Sequence, residues 1–313
     1  MEFFSFKDNT LVFNYNIAID QEHQFRNSIE KARDNFINVE ILDLSYCLDN
    51  HPVWEISFEI YFPNVEEIIL SPNLKALKNC QFTRLKNLKT INLPDNIEIL
   101  SDSLFAGCES LNEIKIPNSV KKISKFCFAG SGLKVIEIPS SVKIICSEAF
   151  GCPELEKLIF SEGLKILEPD SIASERIMDL QLPSSLEQIG HIYIPNGVLD
   201  LSLCDKITQL EGYLTATWII MPPNLDNCKV WFKEDAVVFF GDQLTEIEAS
   251  FKNGEVYFFS PKIKSFKKIE SWYSTKMYFP KSSLSRYSKI KAIEGKKLMK
   301  IEELPVQFDF FWI

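Results

Sequence analysis

The sequence predicts a mostly β, or α+β, repeat protein in which short coils stack into a solenoid. A unit recurs along the chain, and its first apolar anchor stands at positions 65, 88, 111, 133, 155 and 177. The first half of each unit alternates apolar and polar residues, which is the spacing of a β-strand. One such unit cannot bury its own apolar face, so neighbouring units have to stack on one another.

Each unit has the form L-x-x-I-x-I-P-x-x-V-x-x-I-x-x-x-x-F. The proline ends the strand because it has no N–H to give to a ladder. The apolar residues after it are three apart, which suits a short strand or a 3₁₀ turn returning along the back. In the copy that begins at Leu111, we predict that Ile114 and Ile116 point inward while Glu113 and Lys115 point outward.

The joins between units resemble a known repeat family. The stretch Phe105-Ala-Gly-Cys108-Glu-Ser-Leu111, continuing to Pro117, resembles the BspA-like leucine-rich repeat, a repeat of bacterial-surface and protozoan proteins, over residues 62–190. The resemblance implies a right-handed leucine-rich-repeat solenoid with a parallel sheet along its concave face and short strands or 3₁₀ turns on the back. It also implies a role in adhesion or in binding proteins at a cell surface.

We predict one long domain with four parts, because a solenoid core grows with each added coil. Residues 1–38 form an N-terminal cap, 39–190 the regular repeats, 191–290 shorter degenerate repeats, and 291–313 a C-terminal cap or tail. In the later coils the apolar anchor after the strand is expected at Leu186, Ile207, Leu225, Leu244, Ile263 and Leu284.

The N-terminal cap should contain a hairpin and a helix. Strand-like Phe3–Phe6 and Leu11–Phe13 flank Asp8-Asn9, which is a turn signal. Apolar residues at helical spacing predict a helix over 21–36, with Asp20 as its N-cap.

Charge is divided unevenly along the chain, whose net charge is −9. Residues 1–251 carry 21 basic and 37 acidic side chains, and residues 252–300 carry 13 basic and 3 acidic ones. The densest basic stretch holds Lys262, Lys264, Lys267 and Lys268. Such a stretch is either a site for an anionic partner or a solvated face. No nucleic-acid partner is expected, because no Arg-rich run or nucleic-acid module accompanies it.

Cysteine spacing and hydropathy set the remaining expectations. The eight cysteines form no Cys-x-x-Cys pair, so we expect buried thiols and neither a metal nor a cofactor. Apolar runs are only a few residues long, which predicts no membrane span. The opening residues lack the pattern of a secretory signal. We expect a monomer; the resemblance suggests the cell surface or secretion, and the cytoplasm is the alternative.

The outward positions of the later coils supply the candidate site, and they are predicted to be Trp218/Ile220, Val237/Phe239, Tyr257/Phe259 and Lys276/Tyr278. Large apolar residues stand there, and we predict that they bind a protein partner together with the lysine stretch. The predicted contact residues are Trp218, Ile220, Val237, Phe239, Tyr257, Phe259, Tyr278, Lys262, Lys264, Lys267 and Lys268. Two alternatives stay open: another segment covers these residues, or a one-residue slip turns them inward. The register at the coil of Phe259 is suspect because it places Ser260 inward.

No catalytic residue is predicted. His23, His51 and His191 lie far apart, and the sequence lacks the motifs of serine hydrolases, nucleotide-binding loops and zinc proteases. The prediction is therefore a non-catalytic scaffold for protein–protein interaction. The alternatives are a carbohydrate-active or other enzyme module with carboxylates on a solenoid face, and an intracellular recognition module.

Overall fold

The computed structural model describes residues 3–13, 21–260, 263, 265–272, 275–279 and 300–303. The chain forms two compact units, Met1–Ser174 and Glu175–Ile313, called here the N-terminal and C-terminal units. Each unit consists of coils joined by parallel strands, which confirms the predicted repeat fold. The proposed division into four parts stays a prediction. Asp20, Leu284 and most of the predicted tail lie outside the described residues.

The N-terminal unit begins with the predicted hairpin and helix. Strands β1 (Phe4–Lys7) and β2 (Thr10–Phe13) pair antiparallel, and β2 then pairs parallel with β3 (Ile41–Leu44). Helix α1 (Glu22–Phe36) lies between them in the chain and buries Phe25, Ile29 and Phe36. Gln21 occupies the N-cap position and makes no capping bond through its side chain.

The coils that follow have a front ladder and a return ladder. The front strands are β4 (Glu67–Leu70), β5 (Thr90–Ile91), β8 (Val135–Ile138) and β11 (Lys157–Phe160). The return strands are β6 (Ile99–Leu100), β7 (Lys122–Ile123), β9 (Ile144–Ile145) and β12 (Ile166–Leu167). Shorter elements are a 3₁₀ helix (Pro52–Glu55), helix α2 (Phe58–Tyr61) and the paired strands β10 (Phe150–Gly151) and β13 (Ile172–Ala173).

One front segment departs from the prediction. Residues 113–116 form no strand, although Ile116 is buried and Glu113 and Lys115 are exposed as expected. Ile114 is only half-buried, and a groove of about 930 Å³ opens beside this segment. The repeat pattern therefore gives the side-chain orientation correctly here, while the backbone pairing of the ladder is interrupted.

Stacked phenylalanines fill the core of the N-terminal unit. The rings of Phe82, Phe105, Phe128 and Phe150 follow one another with centroids 5.4–5.6 Å apart and planes within 21°. All four side chains have no solvent exposure. The repeated phenylalanine of the sequence unit thus forms a continuous column with one ring from each coil.

Gly130 and Gly132 differ in how closely the preceding coil approaches them. A Cβ on Gly132 would lie 2.1 Å from the carbonyl oxygen of Glu109 in the preceding coil. Gly130 has a positive φ of 67°, but the nearest atom to a Cβ there, the backbone nitrogen of Gly107, would lie 3.8 Å away. Gly132 is therefore required by close packing, whereas Gly130 is favoured by its backbone conformation.

We expect Gly132→Ala to lower the free energy of unfolding by about 3 kcal/mol, because the coils must separate to admit the methyl group. Gly130→Ala is the matched variant and should cost only about 1 kcal/mol, the strain of a left-handed residue. Urea denaturation followed by circular dichroism measures both values. Equal losses in the two variants would contradict the distinction between packing and backbone strain.

The C-terminal unit also has two ladders. Its front ladder contains β14 (Asp179–Gln181), part of β16 (Ile192–Asp200), part of β17 (Gln209–Ile220), β19 (Val237–Phe240), β21 (Glu255–Phe258), β23 (Lys276–Phe279) and β24 (Lys300–Glu303). Its return ladder continues from the first half of β17 through β18 (Asn227–Phe232), β20 (Glu246–Lys252) and β22 (Ser265–Trp272). Strand β15 (Gln188–Ile189) is short.

The predicted inward positions fill the core of the C-terminal unit. Phe240, Phe258 and Phe279 stack at 5.1 and 4.8 Å between ring centroids. Ser260, which made the register suspect, points inward without solvent exposure, and its hydroxyl donates to the carbonyl oxygen of Leu244 at 2.8 Å. The hydrogen bond offsets the cost of burying the hydroxyl, so the predicted inward orientation is confirmed at this coil.

Candidate protein-interaction surface

The candidate residues lie on the outer side of the front ladder of the C-terminal unit. Strand register places Ile220, Phe239, Tyr257 and Tyr278 in one column. Trp218, Val237, Glu255 and Lys276 form the neighbouring column. Side chains between them, such as Ile219 and Val238, are buried inside the coil. The predicted alternation places the candidates outward, and no one-residue slip turns them inward.

The aromatic members of the two columns stack on one another. The ring of Trp218 lies 5.7 Å from that of Phe239, and Phe239 lies 4.9 Å from Tyr257. Tyr257 and Tyr278 follow at 4.5 Å, with planes only 6° apart. Because strands are about 4.8 Å apart, rings in register contact face to face.

Exposure falls along this stack. Trp218 is 47% exposed, and Ile220, Val237 and Phe239 are half-buried. The prediction of an exposed surface is wrong for Tyr257 and Tyr278, which are only 6% and 7% exposed. Tyr257 has an aromatic neighbour on each side, so stacking removes both of its ring faces from water. Four residues therefore make the accessible part, called here the Trp218 patch: Trp218, Ile220, Val237 and Phe239.

One coil also has a different alignment from the one predicted. Glu255, and not Tyr257, stands beside Val237, so the outward pair of this coil is Glu255 with Tyr257. Phe259 follows the end of β21 and is half-buried, and its N–H donates to the carbonyl oxygen of Phe240 at 3.2 Å. The alternation in the sequence predicts the outward orientation of Phe259 correctly. Tyr257, two residues earlier, occupies the position beside Phe239.

Polar contacts lie next to the Trp218 patch, around Tyr257. The hydroxyl of Tyr257 donates to Glu255 at 2.8 Å, and the Lys276 ammonium contacts the same carboxylate at 3.1 Å. The hydrogen bond from Tyr257 lowers the pKa of Glu255 and burial raises it. Lys276 lowers the pKa further, so the net shift is downward. Burial and the hydrogen bond to Glu255 raise the pKa of Tyr257. Glu255 is therefore ionised and paired at neutral pH.

The lysine stretch is only partly described. Lys262 and Lys264 lie outside the described residues, whereas Lys267 and Lys268 belong to strand β22. Strand β22 pairs with β20 in the return ladder and not with the strands that carry the Trp218 patch. These two lysines consequently do not continue the aromatic columns.

The return ladder carries a second aromatic group that the sequence interpretation missed. Tyr213 is exposed, and its ring stacks on that of half-buried Trp231 at 5.2 Å. His191 meets Tyr213 edge-on, with 6.1 Å between ring centroids. Alternation in 209–214 and 227–232 was the available signal, but only one long strand per coil was predicted.

Among the described residues of the N-terminal unit, the outward front positions carry no such patch. Glu67 and Thr90 are polar, as are Glu113, Lys115 and Lys157. Val135 and Ile159 are exposed apolar residues on β8 and β11, but each stands among charged neighbours along its strand. Consecutive large apolar side chains on neighbouring front strands are therefore a feature of the C-terminal unit.

The described part of the chain also bears on metal sites and membrane spans. In that part of the chain, no group of three or more His, Cys, Asp or Glu residues is arranged to hold a metal ion. Within the same ranges, no helix is long and apolar enough to cross a bilayer.

The geometry defines a class of protein. Parallel front strands recur with the 22–23-residue unit, short return strands lie behind them, and a phenylalanine column runs between, as in a leucine-rich-repeat solenoid. The chain matches the family described as BspA type leucine rich repeat region, in six copies over residues 57–108 and 75–196. Residues 57–196 therefore match the BspA-type leucine-rich repeat, as the sequence resemblance predicts.

Solved structures with some similarity are also leucine-rich repeat proteins. A leucine-rich repeat protein from Bacteroides ovatus is 15% identical, with a TM-score of 0.42, covering 96% of this chain and 74% of its own. A leucine-rich cell surface protein from Faecalibacterium prausnitzii is 14% identical, with a TM-score of 0.37, covering 85% of this chain and 83% of its own. No curated protein matches the sequence.

Proposed function

We propose that this protein is a non-catalytic repeat scaffold that binds a protein partner through the Trp218 patch. The observation that carries the proposal is the exposure of Trp218 beside three half-buried apolar side chains on adjacent strands. Contiguous apolar surface of this kind marks interaction sites, and tryptophan is enriched among the residues that dominate binding energy.

The surroundings of the patch favour a protein partner. Phe239 supports one face of the Trp218 ring, so the indole is held in place before a partner arrives. The ion pair of Glu255 and Lys276 lies in the continuation of the Trp218 column and supplies a polar rim. An apolar centre with a polar rim is the usual anatomy of a protein interface.

The described carboxylates do not favour the enzyme alternative. A general acid on a solenoid face needs a raised pKa. The carboxylates with a clear departure, Glu55, Glu168 and Glu255, all have lowered pKa values. The repeat family supports a scaffold, and adhesion or cell-surface recognition is the finer form of this proposal that the family suggests.

Selection of peptides from a displayed library on the intact protein tests the proposed surface. We expect the selected peptides to lose binding to the double variant Trp218→Ser/Phe239→Ser by about a hundredfold, since each aromatic anchor contributes more than about 1 kcal/mol. Isothermal titration calorimetry on synthetic peptides measures the loss. The melting temperature should change little, because both replaced side chains retain solvent contact.

Val135→Ser/Ile159→Ser is the matched control. It removes two exposed apolar residues from front strands of the N-terminal unit, and it should leave peptide affinity unchanged. Selected peptides that bind both double variants as tightly as the unmodified chain would place the interaction elsewhere and overturn the proposal.

A further inference from the structure

A polar pocket of about 740 Å³ lies in the N-terminal unit and shares no residue with the Trp218 patch. It forms where the cap hairpin and the first coils present the residues that precede their front strands. Ten residues line it: Phe6, Asp8, Asn9, Asn35, Ile37, Asn38, Glu40, Asn64, Glu66 and Asn87. Half of them are asparagines, and three of these, Asn38, Asn64 and Asn87, directly precede the apolar anchor of successive coils.

Backbone pairing brings these residues to one edge. The carbonyl oxygen of Asn9 accepts from the N–H groups of Glu40 and Ile41, and the carbonyl of Glu40 accepts in turn from Glu66 and Glu67. The sequence repeats Asn-Val-Glu at 38–40 and 64–66, so amides and carboxylates recur side by side in successive coils.

Two of the asparagines are held in fixed orientations. The Asn64 amide donates to the carbonyl oxygen of Ile37 at 2.8 Å, and the Asn87 amide donates to the Asn64 side-chain oxygen at 3.2 Å. Among the described residues, the side chains of Asn9, Asn35 and Asn38 have no hydrogen-bond partner, and neither has Asp8. These groups line the pocket and are available to a ligand.

The chemistry of the lining narrows the ligand class. Three carboxylates and no basic residue line the pocket, which disfavours an anion. In the described part of the chain, no three His, Cys, Asp or Glu residues are arranged to hold a metal ion, which disfavours a metal cation. An apolar ligand would leave the amides unsatisfied. Amides both donate and accept hydrogen bonds, and they match hydroxyl groups, which do the same.

Phe6 provides an apolar surface at the rim. Its ring is 44% exposed. It packs against Phe36 at 5.9 Å and meets Phe4 nearly perpendicularly at 6.0 Å. The ring is therefore supported from within the cap while part of it faces solvent. A sugar ring has an apolar C–H face and a polar hydroxyl edge, and the pocket offers a partner for each.

We infer that this pocket binds a neutral carbohydrate, with Phe6 under the sugar ring and the Asn35, Asn38 and Asn9 amides on its hydroxyls. The Asp8 and Glu40 carboxylates accept hydrogen bonds from further hydroxyls. The inference concerns a different surface from the Trp218 patch and does not depend on it.

An array of neutral oligosaccharides first selects the best binder. The test is then titration of the 313-residue protein with methyl glycosides of neutral hexoses and N-acetylhexosamines. We expect saturable binding that falls at least about tenfold in Phe6→Ala and in Asn35→Ala/Asn38→Ala, the loss of one or two hydrogen bonds or contacts. Asn118→Ala, at an exposed asparagine outside the pocket, is the matched control and should bind normally.

Circular dichroism of each variant verifies that the cap stays folded. Three results would overturn the inference: no neutral sugar binds to the folded protein, binding is the same in the pocket variants, or a lysine-rich peptide binds in the pocket and sugars do not. None of these results would affect peptide binding at the Trp218 patch, so the two proposals fail separately.

Discussion

Phe128→Ala is expected to lower the free energy of unfolding of the N-terminal unit by about 3–5 kcal/mol, the usual cost of truncating a buried phenylalanine. Phe128 has no solvent exposure and has a stacked ring on each side, Phe105 at 5.5 Å and Phe150 at 5.4 Å. Alanine would leave a cavity in the middle of the column and remove both ring contacts. Urea denaturation monitored by far-ultraviolet circular dichroism measures the loss.

Phe126→Ala is the control that compares an exposed phenylalanine with a buried one of the ring column. Phe126 stands two residues before Phe128 in the same coil, but it is 40% exposed and has a positive φ of 57°. Its replacement should cost about 1 kcal/mol or less, because the side chain is not part of the ring column. A loss for Phe128→Ala no larger than that for Phe126→Ala would show that the stacked column does not stabilise the coil.

The regular repeats could be predicted from sequence because each coil has the same physical requirement. Phe105, Phe128 and Phe150 recur in register, and only stacking buries all three. The interruption at 113–116 has no sequence signal, since Ile114 and Ile116 follow the same pattern as their neighbours. Strand pairing depends on small backbone displacements between coils, which a pattern of apolar residues does not encode.

The sequence predicts the outward orientation of the candidate side chains but not how exposed each of them is. Alternation along each strand determines that Trp218 and Tyr257 point outward, because successive side chains leave opposite faces of a sheet. Whether an outward ring meets water depends on its neighbours across strands. Tyr257 lies between two rings and is buried, whereas Trp218 lies at one end of the stack and is exposed. The asparagine pocket was missed because its residues come from the cap and several separate coils.

We expect the free energy of unfolding of the N-terminal unit to fall by about 5 kcal/mol per pH unit above pH ~9.5. Five thiols of this unit are buried, and burial raises the pKa most strongly at four of them, Cys47, Cys108, Cys127 and Cys152. Burial raises the pKa of Cys108 to about 12 and that of Cys152 to about 11, and it also raises the pKa values of Cys47 and Cys127. An unfolded thiol ionises near pH ~8.5.

The direction follows from proton binding. Above pH ~8.5 the unfolded chain loses thiol protons that the folded unit retains, so the stability is full below that pH and declines as pH rises toward the folded pKa values. Each thiol contributes a slope of about 1.4 kcal/mol per pH unit. Unfolding free energies from urea titrations under reducing conditions at pH 8, 9.5 and 10.5 measure the combined slope.

Serine replacements separate the thiols from other alkaline effects. The thiols of Cys108 and Cys152 donate to the carbonyl oxygens of Phe82 and Phe128 at 3.1 and 3.0 Å, and a serine hydroxyl could make the same bonds without ionising in this range. Ser131 already occupies the Cys108 position of the next coil. The double variant Cys108→Ser/Cys152→Ser should therefore retain the fold and reduce the alkaline slope by about half. Cys80→Ser controls for the loss of an exposed thiol. An undiminished slope in the double variant would mean that buried thiols do not govern alkaline unfolding.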